Sequence, residues 1–274
     1  MVVKKKKRAN KMNNLSGSEW LKKSFTIWSH IKKDEKERKL KHPALFPSSL
    51  VDELIKIYTK RKSEKILDPF MGAGSTIIAS ITNERHSIGI DLNKEYCKKT
   101  KDRINDFTSD IFFDKKKFKE PLIINDDAMN LLNYVKPKSI DLVVTSPPYW
   151  DILNQKRTAD QKEIRTYSSS KKDLGNIDDY EKFLSQLKKV FTDVYKVLKP
   201  NKRCISIVMD IRKKDKFYPL HEDQTRVMRE IGFELEEYVI WNRINEYNNC
   251  RPLGYPFVYR FNKVHEYICI YWKR

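Results

Sequence analysis

The residues best suited to chemistry in this 274-residue sequence are Thr145-Ser-Pro-Pro-Tyr-Trp150, at the end of an apolar, β-branched run that begins at Ser139. Pro147 and Pro148 have a fixed φ and no N–H, so the loop is stiff and the Pro147 carbonyl is free to accept a hydrogen bond. Ser146 adds a side-chain acceptor beside it, and Tyr149 adds a flat face. Two acceptors at the rim of a planar slot suit an aromatic ring that bears an amino group. A proline-stiffened strand exit would explain any one of these residues, but not their meeting at one carboxyl edge.

A second constellation is Asp68-Pro-Phe-Met-Gly-Ala-Gly-Ser-Thr76, which follows a short strand and opens a helix. Gly72 and Gly74 let the backbone turn tightly and approach a ligand, with an electropositive helix N-terminus behind them. Asp91 ends the next strand, where an acid can accept both hydroxyls of a ribose. No Lys follows Gly74, which excludes a Walker loop, and Ile77 stands where a dinucleotide fingerprint needs a third glycine. The pair of features therefore points to an adenosine-containing ligand without a pyrophosphate. Further on, Asp127 beside Ala128 either accepts the exocyclic amine of an adenine or caps a helix over 128–135.

The elements that must position these groups alternate. Seven strands are expected: Lys65–Asp68, His86–Asp91, Pro121–Asn125, Ser139–Thr145, Arg203–Met209, Leu235–Trp241 and His265–Trp272. Apolar positions at helical spacing predict Ser48–Arg61, Ser75–Thr82, Asn93–Asn105, Asp178–Leu198 and Leu220–Ile231 as helices. In the longest of these, Asp178 or Asp179 caps the start and Lys199-Pro200 ends it. Such alternation predicts an α/β fold, a mostly parallel sheet with helices on both faces, with ligands at the carboxyl ends of its strands.

Residues 1–14 read as a flexible basic arm. Residues 15–274 read as a single domain, its N-terminal part laying Trp20, Phe25 and Trp28 onto the body. Two stretches, 151–176 and 242–264, exceed ordinary connector length and are the expected insertions. The 56 Lys+Arg against 37 Asp+Glu leave a net charge of +19, which favours a polyanionic partner through counterion release. Candidate contacts to it are Trp150 and, from the first stretch, Arg157, Arg165, Lys171 and Lys172. The second offers Arg243, Arg251, Tyr255, Tyr259 and Arg260, a mixture suited to base edges and stacking. Asp210 and Arg212, after the fifth strand, line either the ligand side or this polyanion side, or form a salt bridge. His221 and His265 lack metal-ligand spacing, so no metal is expected. Four cysteines without a CxxC pair, no secretory signal and no membrane-length apolar run point to a cytoplasmic protein.

The glycine-loop and Ser-Pro-Pro-Tyr motifs resemble those of the S-adenosylmethionine-dependent DNA amino-methyltransferases, which methylate cytosine N4 or adenine N6. The cofactor loop precedes Ser146-Pro-Pro-Tyr149, as in that family's γ-like motif order. The resemblance spans roughly residues 15–274 and implies a Rossmann-like seven-stranded sheet whose last strand is antiparallel. It also implies that Lys41-His-Pro-Ala-Leu-Phe-Pro47 touches the methionine half of the cofactor, through His42, Pro43 and Phe46. The remaining cofactor residues by this likeness are Asp68, Phe70, Gly72, Gly74, Ser75, Thr76, Asp91, Asp127 and Ala128. The catalytic residues are Ser146, Pro147, Pro148 and Tyr149. The implied substrate is double-stranded DNA with a flipped base, and a cognate restriction endonuclease is an admissible partner. Ser at position 146 resembles the cytosine-N4 members. Adenine-N6 and RNA amino-methylation are the alternatives.

Overall fold

The computed structural model describes residues 11–40, 45–111, 113–154, 167–246 and 252–274. Its helices are α1 (Gly17–Lys23), α2 (Glu35–Lys39), α3 (Ser48–Tyr58), α4 (Ser75–Thr82), α5 (Lys94–Thr108), α6 (Tyr180–Val197) and α7 (Leu220–Ile231). Its strands are β1 (Ile27–Trp28), β2 (Lys65–Asp68), β3 (His86–Asp91), β4 (Leu122–Asn125), β5 (Ile140–Thr145), β6 (Leu198–Val208), β7 (Ile211–Lys213), β8 (Lys216–Tyr218), β9 (Glu234–Asn242) and β10 (His265–Lys273).

Eight strands form one sheet in the order β1-β9-β10-β6-β5-β2-β3-β4. The pairs from β6 through β5, β2 and β3 to β4 are all parallel, and β10 runs antiparallel to both β6 and β9. The expected seven strands are therefore present, the last of them reversed. An eighth is added at the edge: Ile27 and Trp28 pair in parallel with Ile240 and Trp241 of β9, so the N-terminal segment extends the sheet instead of only lying on it. The β7–β8 hairpin forms a separate two-stranded sheet.

Strand alternation divides the core. Val143 of β5 and Cys204 and Val208 of β6 face α6 and α7, while Leu142, Val144, Ile205 and Ile207 face α3 and Trp28. α6 supplies the stripe Phe183, Leu187, Val190, Phe191 and Val194, each fully buried, and each such side chain contributes about 1.5–3 kcal/mol by leaving water. Asp179, the second of the two candidate acids, caps it by accepting from Lys182 N at 2.6 Å. The helix expected over 128–135 is a 3-10 helix, Ala128–Asn133. No described helix is long and apolar enough to cross a membrane.

Candidate active site

β2, β3 and β5 bring their carboxyl ends together, and the chain order reverses between β2 and β5, where open α/β sheets bind ligands. The glycine loop leaves β2 there. Gly72 and Gly74 have φ of 53° and 81°, in the left-handed region that favours glycine. A Cβ on Gly74 would also lie 2.5 Å from Thr100 Cγ2, so α5 packs directly against the loop.

The motif carboxylate Asp68 is an internal clamp. Fully buried, it accepts Thr145 Oγ1 at 2.6 Å, Thr76 Oγ1 at 2.7 Å and Phe70 N at 3.1 Å, tying the loop, α4 and the end of β5 together. Burial pushes its carboxyl up to about 6, and those three donors hold it down only partly. The hydroxyls of Ser75 and Thr76 are likewise spent inside: Ser75 Oγ donates to Phe46 O at 2.7 Å, which anchors the segment before α3 onto the loop. Phe46 itself is buried, and Phe70 is half-buried against the core. His42 and Pro43 lie outside the described residues.

Asp91 sits buried at the end of β3. Its Oδ2 accepts Gly72 N at 2.7 Å and the Tyr167 hydroxyl at 2.6 Å, and its Oδ1 accepts Asn93 N at 2.8 Å. Burial raises its pKa, and Tyr167 leads the groups that oppose the rise. Burial beside the Asp91 charge holds the Tyr167 phenol well above the usual tyrosine range. Tyr167 also packs its ring on Tyr96, with centroids 4.6 Å apart. The phenol thus occupies one acceptor position of the Asp91 carboxylate. Gly72 N is committed to Asp91 and Gly74 N to Met71 O at 3.0 Å. Two of the loop amides are thus unavailable to a phosphate. Asp127 caps the 3-10 helix, its Oδ1 accepting Met129 N at 3.0 Å, and Ala128 is buried behind it.

At the end of β5, Pro147 is buried, and Ser146, Pro148 and Tyr149 are half-buried. Ser146 Oγ lies 2.9 Å from Tyr149 Oη and 3.0 Å from Ile207 O. Tyr149 Oη lies 2.9 Å from Glu266 Oε2, and Glu266 pairs with Arg243. Burial and the Glu266 charge push the Tyr149 phenol well above the usual tyrosine range.

The polyanion contacts divide. Trp150 is corrected: it is 4% exposed, donates from Nε1 to Ile177 O at 2.7 Å and packs against Tyr180 and Tyr218. Its φ of 50° turns the indole inward after the proline pair. Arg243 is engaged by Glu266 and by Glu246 at 2.8 Å, and its guanidinium lies 4.7 Å from the Trp241 ring centre. Lys171 and Lys172 are exposed. Between β9 and β10, Tyr255, Phe257, Tyr259 and Phe261 are 78%, 90%, 84% and 79% exposed. Arg260 beside them donates to Lys214 O at 2.9 Å. Arg157, Arg165 and Arg251 lie outside the described residues. Asp210 forms an internal pair with His221 Nδ1 at 2.6 Å, and that ring stacks on Tyr267. Among the described residues no His/Cys/Asp/Glu cluster could hold a metal.

Tyr167 and Glu266 were not singled out by sequence reasoning. Glu266 had a signal, the lone carboxylate of β10. Tyr167 was one aromatic in a polar loop.

The sheet order, the reversed last strand and the reversal of chain order between β2 and β5 define an α/β domain of the methyltransferase type. Comparison fixes the family: the family model described as DNA methylase (N6/N4 type) matches residues 1–102 and 140–274, and the chain belongs to this S-adenosylmethionine-dependent family. Among similar proteins, the orphan methyltransferase M.BamHII of Bacillus amyloliquefaciens is 32% identical over 87 residues, 30% of this chain and 32% of that protein. The type II methyltransferase M2.LlaDCHI of Lactococcus lactis subsp. cremoris is 41% identical over 81 residues, 29% of each. The aligned segments thus span about a third of these curated relatives' length. A solved structure of TTHA0409, a DNA modification methylase (so described) from Thermus thermophilus complexed with S-adenosyl-L-methionine, is 29% identical. That match covers 54% of this chain and 51% of the other, with a TM-score of 0.37.

Proposed function

We propose that the protein transfers a methyl group from S-adenosylmethionine to the exocyclic amine of a base flipped out of double-stranded DNA, with cytosine N4 as the acceptor. The observation that carries this reading is the placement of Ser146 and Pro147 at the carboxyl end of β5, separated from Asp91 on β3 only by β2. Asp91 would hold the ribose and Asp127, through its second carboxylate oxygen, the adenine amine. Phe46 and Phe70 border the site, and His42 and Pro43 belong to the same proposal. Bound there, the cofactor supplies a sulfonium-activated methyl group.

An exocyclic amine conjugated to its ring is a poor nucleophile, because its lone pair is delocalised. Ser146 Oγ and the Pro147 carbonyl, each accepting one N–H, draw the nitrogen toward tetrahedral geometry and free that lone pair. Ser146 need not be a strong base, since the amine becomes acidic as its new bond forms. Orientation is the main lever, and well-aligned reactions gain about 7–11 kcal/mol from it. Flipping the base costs a few kcal/mol, and stacking on Tyr149 and phosphate contacts offset it. Lys171, Lys172, Tyr255 and Arg260 remain the proposed contacts, with Arg157, Arg165 and Arg251. Ser at position 146, in place of the Asp of many adenine enzymes, supports cytosine N4. The type II names among the relatives support DNA and admit a restriction endonuclease as partner. Ser146→Ala should abolish most methyl transfer to duplex DNA while cofactor affinity, read by calorimetry, stays unchanged. Full turnover in that variant would refute the role given to Ser146.

A further inference from the structure

We infer that Glu266, acting through Tyr149, is a positioning residue that fixes Ser146 as a hydrogen-bond acceptor and so makes the slot select an amino-bearing base over an oxo-bearing one. The inference rests on the proposed function and deepens it. Glu266 is buried on β10, its Oε1 held by Arg243 and its Oε2 2.9 Å from the Tyr149 hydroxyl. The other charged groups around this cluster are Glu246, on the far side of Arg243, and Lys33, whose ammonium senses Arg243, Glu246 and Glu266.

Proton counting gives the direction. A carboxylate paired with a guanidinium only accepts, and at 2.9 Å it is both charged and nearer the Tyr149 hydroxyl than the Ile207 carbonyl at 3.3 Å, so the single Tyr149 proton goes to Glu266. Tyr149 then has none to give Ser146. Around Ser146 Oγ the structure offers the Tyr149 oxygen at 2.9 Å and the Ile207 carbonyl at 3.0 Å. A carbonyl cannot donate, and Tyr149 no longer can, so the Ser146 proton goes to one of these two interior oxygens. The Ser146 oxygen is left to serve the slot only as an acceptor. With the Pro147 carbonyl, which can do nothing else, the rim becomes uniformly accepting. An amino group satisfies both acceptors. A carbonyl in its place leaves them facing another acceptor, an unpaired arrangement that a buried site penalises. In Glu266→Gln, Arg243 keeps the amide oxygen and the amide nitrogen faces Tyr149 as a donor. The Tyr149 proton is released toward Ser146, and the serine can then turn its own proton into the slot.

Three measurements test this. Glu266→Gln, compared at saturating DNA and cofactor, should lose about tenfold or more in kcat, with cofactor affinity by calorimetry unchanged. The same substitution in a Tyr149→Phe background should add nothing further, because the two residues act as one chain. Independently of turnover, 13C-tyrosine NMR should show Tyr149, assigned through Tyr149→Phe, staying protonated where ordinary tyrosines ionise, and titrating earlier in Glu266→Gln. Wild-type kcat in Glu266→Gln, multiplying losses in the double variant, or a Tyr149 titration indifferent to Glu266 would each overturn the inference. Should Glu266→Gln not fold, an ordinary titration of Tyr149 in the wild-type protein would overturn it as well. A wild-type protein that methylates no DNA would instead refute the proposed function, and the NMR titration would still report on the chain of hydrogen bonds.

Discussion

Asp68→Asn should make the protein more stable relative to wild type as pH rises. The wild-type carboxyl has an ordinary value of 3.8 and reaches about 6 when folded, because burial outweighs its three hydrogen-bond donors. A group that binds its proton more tightly folded than unfolded contributes its full stability below pH 3.8 and loses it as pH rises through about 6. At 1.36 kcal/mol per pKa unit the whole cost of ionising Asp68 in place is about 3 kcal/mol. Integrating between pH 5 and 7.5 puts about 1.5 kcal/mol of it in that window. Asparagine is nearly isosteric and cannot ionise. It retains an oxygen for Thr145 or Thr76, and its amide can donate to the other hydroxyl. Asp91 and Asp173, also shifted upward by burial, titrate in both proteins and largely cancel in the difference. Urea unfolding at a series of pH values reads the effect directly. The Asp68→Asn minus wild-type difference in unfolding free energy should grow by about 1.5 kcal/mol from pH 5 to 7.5. A difference that is flat with pH would refute the argument that Asp68 is held in an unfavourable ionised state.

Other perturbations separate site from scaffold. Gly74→Ala combines a φ of 81° with a Cβ 2.5 Å from Thr100, and should cost about 1–3 kcal/mol in urea unfolding; a neutral result would mean the loop is not pinned by α5. Tyr167→Phe removes the hydroxyl that competes for Asp91, so S-adenosylmethionine should bind about 2–10-fold more tightly by calorimetry; weaker binding would make Tyr167 a direct cofactor contact. Trp150→Ala should lose about 3–5 kcal/mol of stability, and a loss of DNA affinity in a variant that stays stable would overturn its assignment to the core.

The sheet and helices were legible because apolar β-branched runs and 3.6-residue stripes mark them directly. β1 was not: two residues carry no alternation, and only the contact with β9 makes Ile27–Trp28 a strand. The β7–β8 hairpin hid in the charged stretch Ile211–Tyr218, where Lys214 takes a φ of 56° at the turn. Within the site, the motif residues were legible but their partners were not. Asp68, Ser75 and Thr76 read as ligand contacts, but Thr76 and Thr145 donate to Asp68 and Ser75 donates to Phe46 O, since buried hydroxyls seek acceptors. Arg243 read as a polyanion contact because Glu266 lies 23 positions away, and Tyr149 meets the same Glu266 across 117 positions. Trp150 read as a polyanion contact because a positive φ at a non-glycine residue leaves no mark in the sequence.

The proposed reaction is methyl transfer to an exocyclic amine of DNA. Incubation of the purified protein with tritiated-methyl S-adenosylmethionine and duplex DNA, alongside transfer and ribosomal RNA, followed by nucleoside mass spectrometry, tests it most directly. The expected outcome is label in DNA as N4-methylcytosine, lost in Ser146→Ala. Label confined to RNA, or carried on cytosine carbon 5, would contradict it.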